Sequence, residues 1–221
     1  PSDHTAYHRS LADALMRVSG VQSVSYAMPE PFLGVSNRTA VAVRGGAVTT
    51  DADVSIVGPD FFRTMGMTLL AGRDFAWTDD EHAPHVVVVS ESFARDLFGG
   101  GDDAIGQVLD VPDLPFGKGA RIIGIVNSAS LADLHSRASR AVYVAAMQTS
   151  WYDFTIEVRT AGDPAAVEHA AETAVGSLGF HYVYSARPLA TWKNYALRNE
   201  RLVSALPTFF AGLTLLLAAA G

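Results

Sequence analysis

The chain has 221 residues, 49% of them apolar and 18% charged, which is enough apolar matter for a core and excludes a disordered chain. Lys and Arg number 16 against 23 Asp and Glu, and the resulting net charge of −7 lacks the basic footprint that nucleic-acid wrapping demands. The absence of cysteine removes disulfide scaffolds, zinc ribbons, iron–sulfur centres and cysteine nucleophiles together.

The apolar spacing of Tyr7, Leu11, Leu15 and Val18 predicts an amphipathic helix over 3–19. Ser2 or Asp3 serves as its cap and Gly20 as its left-handed terminator. Val21 to Met28 alternates as a strand, with Val24 and Tyr26 on one side, and Pro29 and Pro31 close it. Arg38–Val43 and Ala52–Val57 read as two further strands around Gly45-Gly46. Gly58-Pro59-Asp60 opens a short helix whose apolar face is Phe61, Phe62 and Met65. The pattern then breaks up over 66–82, which ends in the acidic Asp79-Asp80-Glu81.

Val86-Val87-Val88-Val89 reads as a strand buried on both faces. Ser90 caps a helix carrying Phe93, Leu97 and Phe98, and Gly99-Gly100-Gly101 ends it. Gln107–Val111 and Arg121–Asn127 are strands joined by a hairpin-type loop over 112–119, and Ala141–Ala145 is another strand. Tyr152–Arg159 alternates, with Phe154, Ile156 and Val158 to one side. Asp163-Pro164 starts a helix with Val167, Ala171 and Val175 on one face, Gly179 ends it, and His181–Ser185 is a strand. The helix–Gly–strand order of the opening thus returns near the end, which suggests two halves of an α+β domain with residues 68–150 inserted between them.

Residues 190–202 read as a helix running into an uncharged apolar stretch, 203–221. At about 1.5 Å per residue that stretch reaches roughly 28 Å, close to the thickness of a bilayer's hydrocarbon core. Trp192 and Tyr195 fall where amphipathic rings meet a membrane interface, and Pro207 sits where it kinks the span. The chain is therefore read as a polar domain followed by the start of a transmembrane helix, a piece of a membrane protein.

A search for catalytic chemistry returns no active site. Gly117-Lys118-Gly119 lacks the hydroxyl and the preceding glycine of a phosphate loop and reads as a hairpin tip. Gly34-Val35-Ser36-Asn37-Arg38 lacks the second glycine of a nucleophile elbow. His4 and His8, four apart, read as solvated helix residues rather than metal ligands, and His82 and His85 read as a solvated turn. No cofactor or metal site is expected. Phe61-Phe62 reads as core, whereas Trp77, Phe116 and Trp151 are the aromatic candidates for a partner or cargo surface.

One series of strings carries a family resemblance. Val57-Gly58-Pro59-Asp60-Phe61-Phe62-Arg63-Thr64-Met65-Gly66-Met67 precedes Leu69-Leu70-Ala71-Gly72-Arg73-Asp74-Phe75. Val86–Val89 with Ser90-Glu91-Ser92-Phe93-Ala94 follows, then Ala104-Ile105-Gly106-Gln107 and Arg121-Ile122-Ile123-Gly124-Ile125-Val126. The series resembles the extracytoplasmic core domain of MacB/FtsX-like ABC transporter permeases.

The resemblance implies a porter-like α/β sandwich subdomain from residues 1–67 and 151–189. It also implies an inserted β-rich, sabre-like subdomain at 68–150, a stalk helix at 190–202 and a membrane helix from 203 to 221 in contact with lipid. It further implies an inner-membrane protein with residues 1–202 on the extracytoplasmic side, a homodimer or pseudo-dimer of permeases, a separate or fused ABC ATPase and a periplasmic partner. The work implied is mechanotransmission, the coupling of ATPase-driven helix motion to export, lipoprotein handling or partner activation, through a coupling helix bearing Trp192, Tyr195, Arg198, Arg201 and Pro207. The family carries no catalytic set, so the chain is not expected to be an enzyme. The rivals from other classes are a membrane-anchored ligand-binding or sensor domain outside any transporter, and a membrane-tethered hydrolase.

Overall fold

The computed structural model describes residues 4–31, 37–45, 49–112, 117–128, 140–149 and 154–179. The expected strand at 181–185, the stalk at 190–202 and the apolar span at 203–221 lie outside the described residues, and among the described residues no helix is long and apolar enough to cross a membrane. The elements run α1 (His4–Met16), β1 (Val21–Met28), β2 (Arg38–Val43), β3 (Thr49–Val57), α2 (Phe61–Met65), β4 (Leu69–Gly72), β5 (Val86–Ser90), α3 (Glu91–Phe98), α4 (Gly101–Ala104), β6 (Val108–Asp110), β7 (Lys118–Val126), β8 (Ala141–Ala145), β9 (Thr155–Thr160) and α5 (Ala165–Ser177).

Pairing joins the nine strands of the described residues, and six of them close on themselves. The order is β2–β6–β7–β5–β8–β3, and β2 bonds to β3 on one side and to β6 on the other. Closure leaves these six without a free edge along the ring. β3 and β7 hold equivalent places. Each pairs in parallel with one neighbour, β8 or β5. On its opposite side each pairs first with a hairpin partner, β2 or β6, and then with an outlying strand, β1 or β4. The central β5–β8 and closing β2–β6 pairs are both antiparallel, so the pairing pattern has two-fold character. Strands from 1–67, 68–150 and 151–189 all contribute to this one sheet.

The ring interior is filled by alternate residues of its strands, such as Val41, Ile56, Val87, Leu109, Ile122 and Val144, with Phe93 and Ala104 entering from α3 and α4. The outer face of β5 and β8 is covered as well: Val86, Val88 and Tyr143 pack under Phe61, Phe62, Met67 and Phe75. This double cover explains why 86–89 is apolar without alternation. Ser90 caps α3 by accepting from the Phe93 N–H at 3.3 Å and also accepts from the Ala141 N–H at 3.0 Å. The capping reading of Ser90 therefore holds, and the same hydroxyl ties α3 to β8.

β1 and β9 extend the sheet beyond β3. They pair antiparallel with Val24 opposite Val158, Ser25 opposite Glu157 and Tyr26 opposite Ile156. One face of this pair takes α1 and α5 through a cluster of Leu11, Ala12, Leu15, Val24, Tyr26 and Val175. At the start of α5 the Asp163 carboxylate accepts from the Ala165 N–H at 3.0 Å, which is the expected cap. Gly20 and Gly179 both follow their helices in the left-handed region, with φ of 91° and 80°, as expected, while the strand expected after Gly179 lies outside the described residues.

Three local readings are corrected. His8, expected in solvent, is only 3% exposed, because α1 turns it inward against Tyr26 and Phe154. The glycine run 99–101 ends α3 as expected, at Gly99 in the left-handed region, but the sequence reading held no helix where Gly101 opens the short α4. The stretch after Gly66 holds a strand, β4, whose exposed Leu-Leu-Ala-Gly has no alternation and is ordered by pairing with β7.

Candidate functional site

The polar chemistry of the described residues gathers around α2 and the loop from residue 73 to 85. α2 starts from Asp60 at φ 61° and ends at Gly66, φ 73°, whose N–H bonds to Arg63 and Phe62 carbonyls. Gly58, just ahead, admits no side chain: a Cβ there would lie 2.6 Å from Tyr26 Cδ2. The motif's first glycine is therefore a close-approach residue that lets the chain cross over β1. Phe61 and Phe62 are both buried, as expected, with the Phe62 ring 5.0 Å from Tyr143 in an edge-on arrangement.

The loop is locked by a bidentate ion pair. The Arg73 guanidinium donates to both oxygens of Asp79 at 2.7 and 2.8 Å, and the Ala76 N–H donates to Asp79 at 2.9 Å. Burial pushes the Asp79 carboxyl up, but these bonds overcome it and hold its pKa below the usual range. In the sequence Asp79 looked like one member of a solvated acidic run; in the fold it is the buried anchor of a turn. Its signal was the Arg73 six residues earlier, which in sequence has no visible partner. We expect Asp79→Asn to halve this anchor and lower domain stability by about 2–4 kcal/mol, read as a fall in the midpoint of thermal unfolding at pH 7. An unchanged midpoint would show that the turn is held without the ion pair.

That turn delivers Trp77. Its ring lies 6.3 Å from that of Tyr26, and its half-buried side chain packs against both the ring core and the α1/α5 core. Phe154 also packs against both. The Tyr26 hydroxyl donates to the His8 carbonyl, so an aromatic string runs from α1 through Tyr26 to the loop. Of the other aromatic candidates, Phe116 and Trp151 lie outside the described residues, as do Trp192, Tyr195, Arg198, Arg201 and Pro207 of the expected coupling helix.

Two further carboxyls were not legible in the sequence. Burial, reinforced by the nearby Glu30 carboxylate, pushes Glu157 on β9 up to about 7. Burial pushes Asp74 up to about 6, opposed by the Phe75 N–H it accepts at 2.6 Å and reinforced by Asp60. Neither stands beside a nucleophile or a metal-ligating set; among the described residues no three His, Cys, Asp or Glu side chains gather as metal ligands. Gln148 accepts from the Val86 N–H at 3.0 Å and donates to the Pro84 carbonyl at 3.0 Å, which closes the far end of the loop.

Known proteins match this chain along most of its length. Residues 2–174 match the family model described as MacB-like periplasmic core domain. A macrolide export ATP-binding/permease protein MacB of Chromobacterium violaceum is 34% identical over 155 residues, 65% of this chain and 22% of that protein. Its counterpart in Agrobacterium fabrum is 38% identical over 87 residues, 39% of this chain and 13% of that protein. The chain thus spans a quarter or less of these relatives' length. The periplasmic region of MacB from Actinobacillus actinomycetemcomitans shares the fold at a TM-score of 0.55 and 21% identity, covering 77% of this chain and 73% of that structure. The extracellular domain of the noncanonic ABC-type transporter YknZ from Gram-positive bacteria does so at 0.52 and 17%, covering 77% and 83%. With the motif-bearing α2, the closed ring and the β1–β9 pair all inside the matched residues, the chain belongs to the MacB-like periplasmic core domain family.

Proposed function

We propose that this domain is the extracytoplasmic part of an ABC transporter permease and couples ATPase-driven motion of membrane helices to work outside the membrane. The observation that carries the reading is the family match over residues 2–174, with an uncharged apolar stretch of bilayer length following it in sequence at 203–221. The finer parts of the reading are a porter-like subdomain with a sabre-like insert, a stalk helix entering the second membrane helix, and a permease pair working with an ABC ATPase. The work done is export, lipoprotein handling or activation of a periplasmic partner. ATP hydrolysis in this reading is supplied by another domain or subunit.

Placement is testable because the chain has no cysteine of its own. Thr78 is exposed on the loop tip, so Thr78→Cys in the full-length protein, with any cysteine outside residues 1–221 replaced, is expected to react with a membrane-impermeant maleimide in intact cells. Protection until the membrane is permeabilised would place the domain on the other side and defeat the reading. The coupling itself is expected to show as export that fails when the partner ATPase carries a hydrolysis-dead substitution. A ligand response that persists without any ATPase would favour a sensor instead.

A further inference from the structure

Within the one sheet, the closed six-stranded ring and the layer of α1, β1, β9 and α5 have their own core clusters, bridged by Trp77 and Phe154, and their strands meet over a short ladder continued by the Gly58 N–H donating to the Tyr26 carbonyl at 2.9 Å. The β1–β9 ladder has six registered pairs, whereas β1 meets β3 at only two, Ala27 with Val57 and Met28 with Ile56. Two ladder pairs fix a relative position weakly, so side chains must do most of the joining.

On one face of the sheet that joint is α2. Its aromatic pair belongs to the ring: Phe61 and Phe62 are buried against Tyr143, Val86 and Val88 on the ring's outer wall. Its polar residues belong to the layer. The buried Thr64 hydroxyl donates to Ser23 Oγ of β1 at 3.0 Å, and the Thr64 carbonyl accepts from Arg159 Nε of β9 at 2.8 Å. Arg63 reaches the Gln22 carbonyl of β1 at 2.6 Å. Gly66 lies beside the same arginine: a Cβ there would stand 2.8 Å from Arg159 Nη2, and its φ of 73° favours glycine. One five-residue helix therefore presents apolar anchors to one body and directional hydrogen bonds to the other. On the opposite face Trp77 and Phe154 touch both cores.

We propose that α2 is the coupling element between layer and ring, with Phe61 and Phe62 as the fixed end and Arg63, Thr64 and the Arg159 of β9 as the grip. Apolar contacts are non-directional and tolerate sliding, whereas a set of three hydrogen bonds to two different strands transmits both translation and rotation. The assignment gives the Gly-Pro-Asp-Phe-Phe-Arg-Thr-Met-Gly string a mechanical purpose: close approach, seat, grip and release of the chain. It deepens the coupling reading and rests on it only for the origin of the motion.

The test is hydrogen exchange by mass spectrometry on the full 221-residue chain in detergent, with Thr64→Val and Arg159→Gln combined. These substitutions leave the aromatic seat untouched. The expected result is exchange about tenfold faster in α1, β1 and β9, with β5, β7 and β8 within about twofold of the parent. Equal acceleration in both bodies means that α2 only contributes general stability, and no change in either means that it grips nothing; both results overturn the proposal. Should the double variant fail to fold, Arg63→Ala, at a side chain 62% exposed, replaces it, with the same differential expected at about threefold. No ATPase enters this measurement, so its failure leaves the transporter reading standing. In the full-length transporter with its ATPase, the double variant is expected to lose export while hydrolysis persists, a separation that simple loss of folded protein does not produce.

Discussion

Replacement of Phe62 by alanine is expected to cost the domain about 3–5 kcal/mol and to lower its thermal midpoint by roughly 10 °C. The Phe62 ring is 2% exposed and sits among three aromatic rings, 5.7 Å from Phe61, 6.0 Å from Phe75 and 5.0 Å from Tyr143. Truncation removes the burial of a whole ring and the edge-on contact with Tyr143 as well. The cavity has little means of collapse. Its floor is the β5–β8 pair, whose Val88 is opposite Tyr143, and paired strands do not close in on a void. Its roof is α2, which Gly58 and Gly66 hold in place at both ends. Phe62→Leu, which keeps most of the volume, is expected to cost less than half as much. Equal costs for alanine and leucine, by chemical denaturation at pH 6, would show that shape at this position matters less than the aromatic contacts.

The second large effect is on pH dependence, and its sign is unusual for carboxyls. Glu157 is raised from 4.5 to about 7 and Asp74 from 3.8 to about 6, so each holds a proton in the folded chain that it loses when unfolded. A raised folded value means that the folded state binds more protons than the unfolded state between the two values. Stability is therefore fully present below the unfolded pKa and is lost as pH rises, across about 4.5 to 7 for Glu157 and about 3.8 to 6 for Asp74. For Glu157 the loss is on the order of 2–3 kcal/mol. Among the described residues Glu30 acts on it through space, its cross-strand neighbour is the neutral Ser25, and Arg159 lies two residues on along the same face of β9. Asp79 and Asp110 act in the opposite sense, since their folded values are depressed and their contribution disappears as pH falls below the ordinary carboxyl range. The domain is accordingly expected to be most stable in mild acid and to weaken towards pH 8. Glu157→Gln is expected to raise the midpoint at pH 8 and leave it nearly unchanged at pH 4.5. Thermal unfolding across that interval is the measurement; a parent curve flat from pH 5 to 8 would exclude buried protonation at either carboxyl.

Much of the secondary structure was legible because local patterns and their tertiary neighbours agree. The strand at 21–28, the β-branched run at 86–89, the Ser90 cap and the Asp163-Pro164 start all recur in the fold, although residues 23–27 are buried on both faces of the strand rather than alternately. The Phe-Phe pair read as core because paired aromatics beside a short helix have few other places to go. His8 escaped that logic. Helical spacing places it beside Tyr7 on the rim of the apolar face, and polarity argued for solvent, yet Tyr26 of β1, 18 residues away, and Phe154, just ahead of β9, give it an aromatic pocket.

Chain order and residue chemistry were enough for the motif series that marks the family, the acidic balance and the apolar run at 203–221. These depend on neighbours in sequence, where turn glycines, caps and periodicity act over a few residues. Closure of β2 onto β6, the Arg73–Asp79 lock, the raised Glu157 and the grip of α2 on β1 and β9 depend on pairs that the chain keeps far apart or leaves unmarked. Register and burial, set by packing of the whole domain, bring those groups together, and no local preference for helix or strand encodes which partner each will meet.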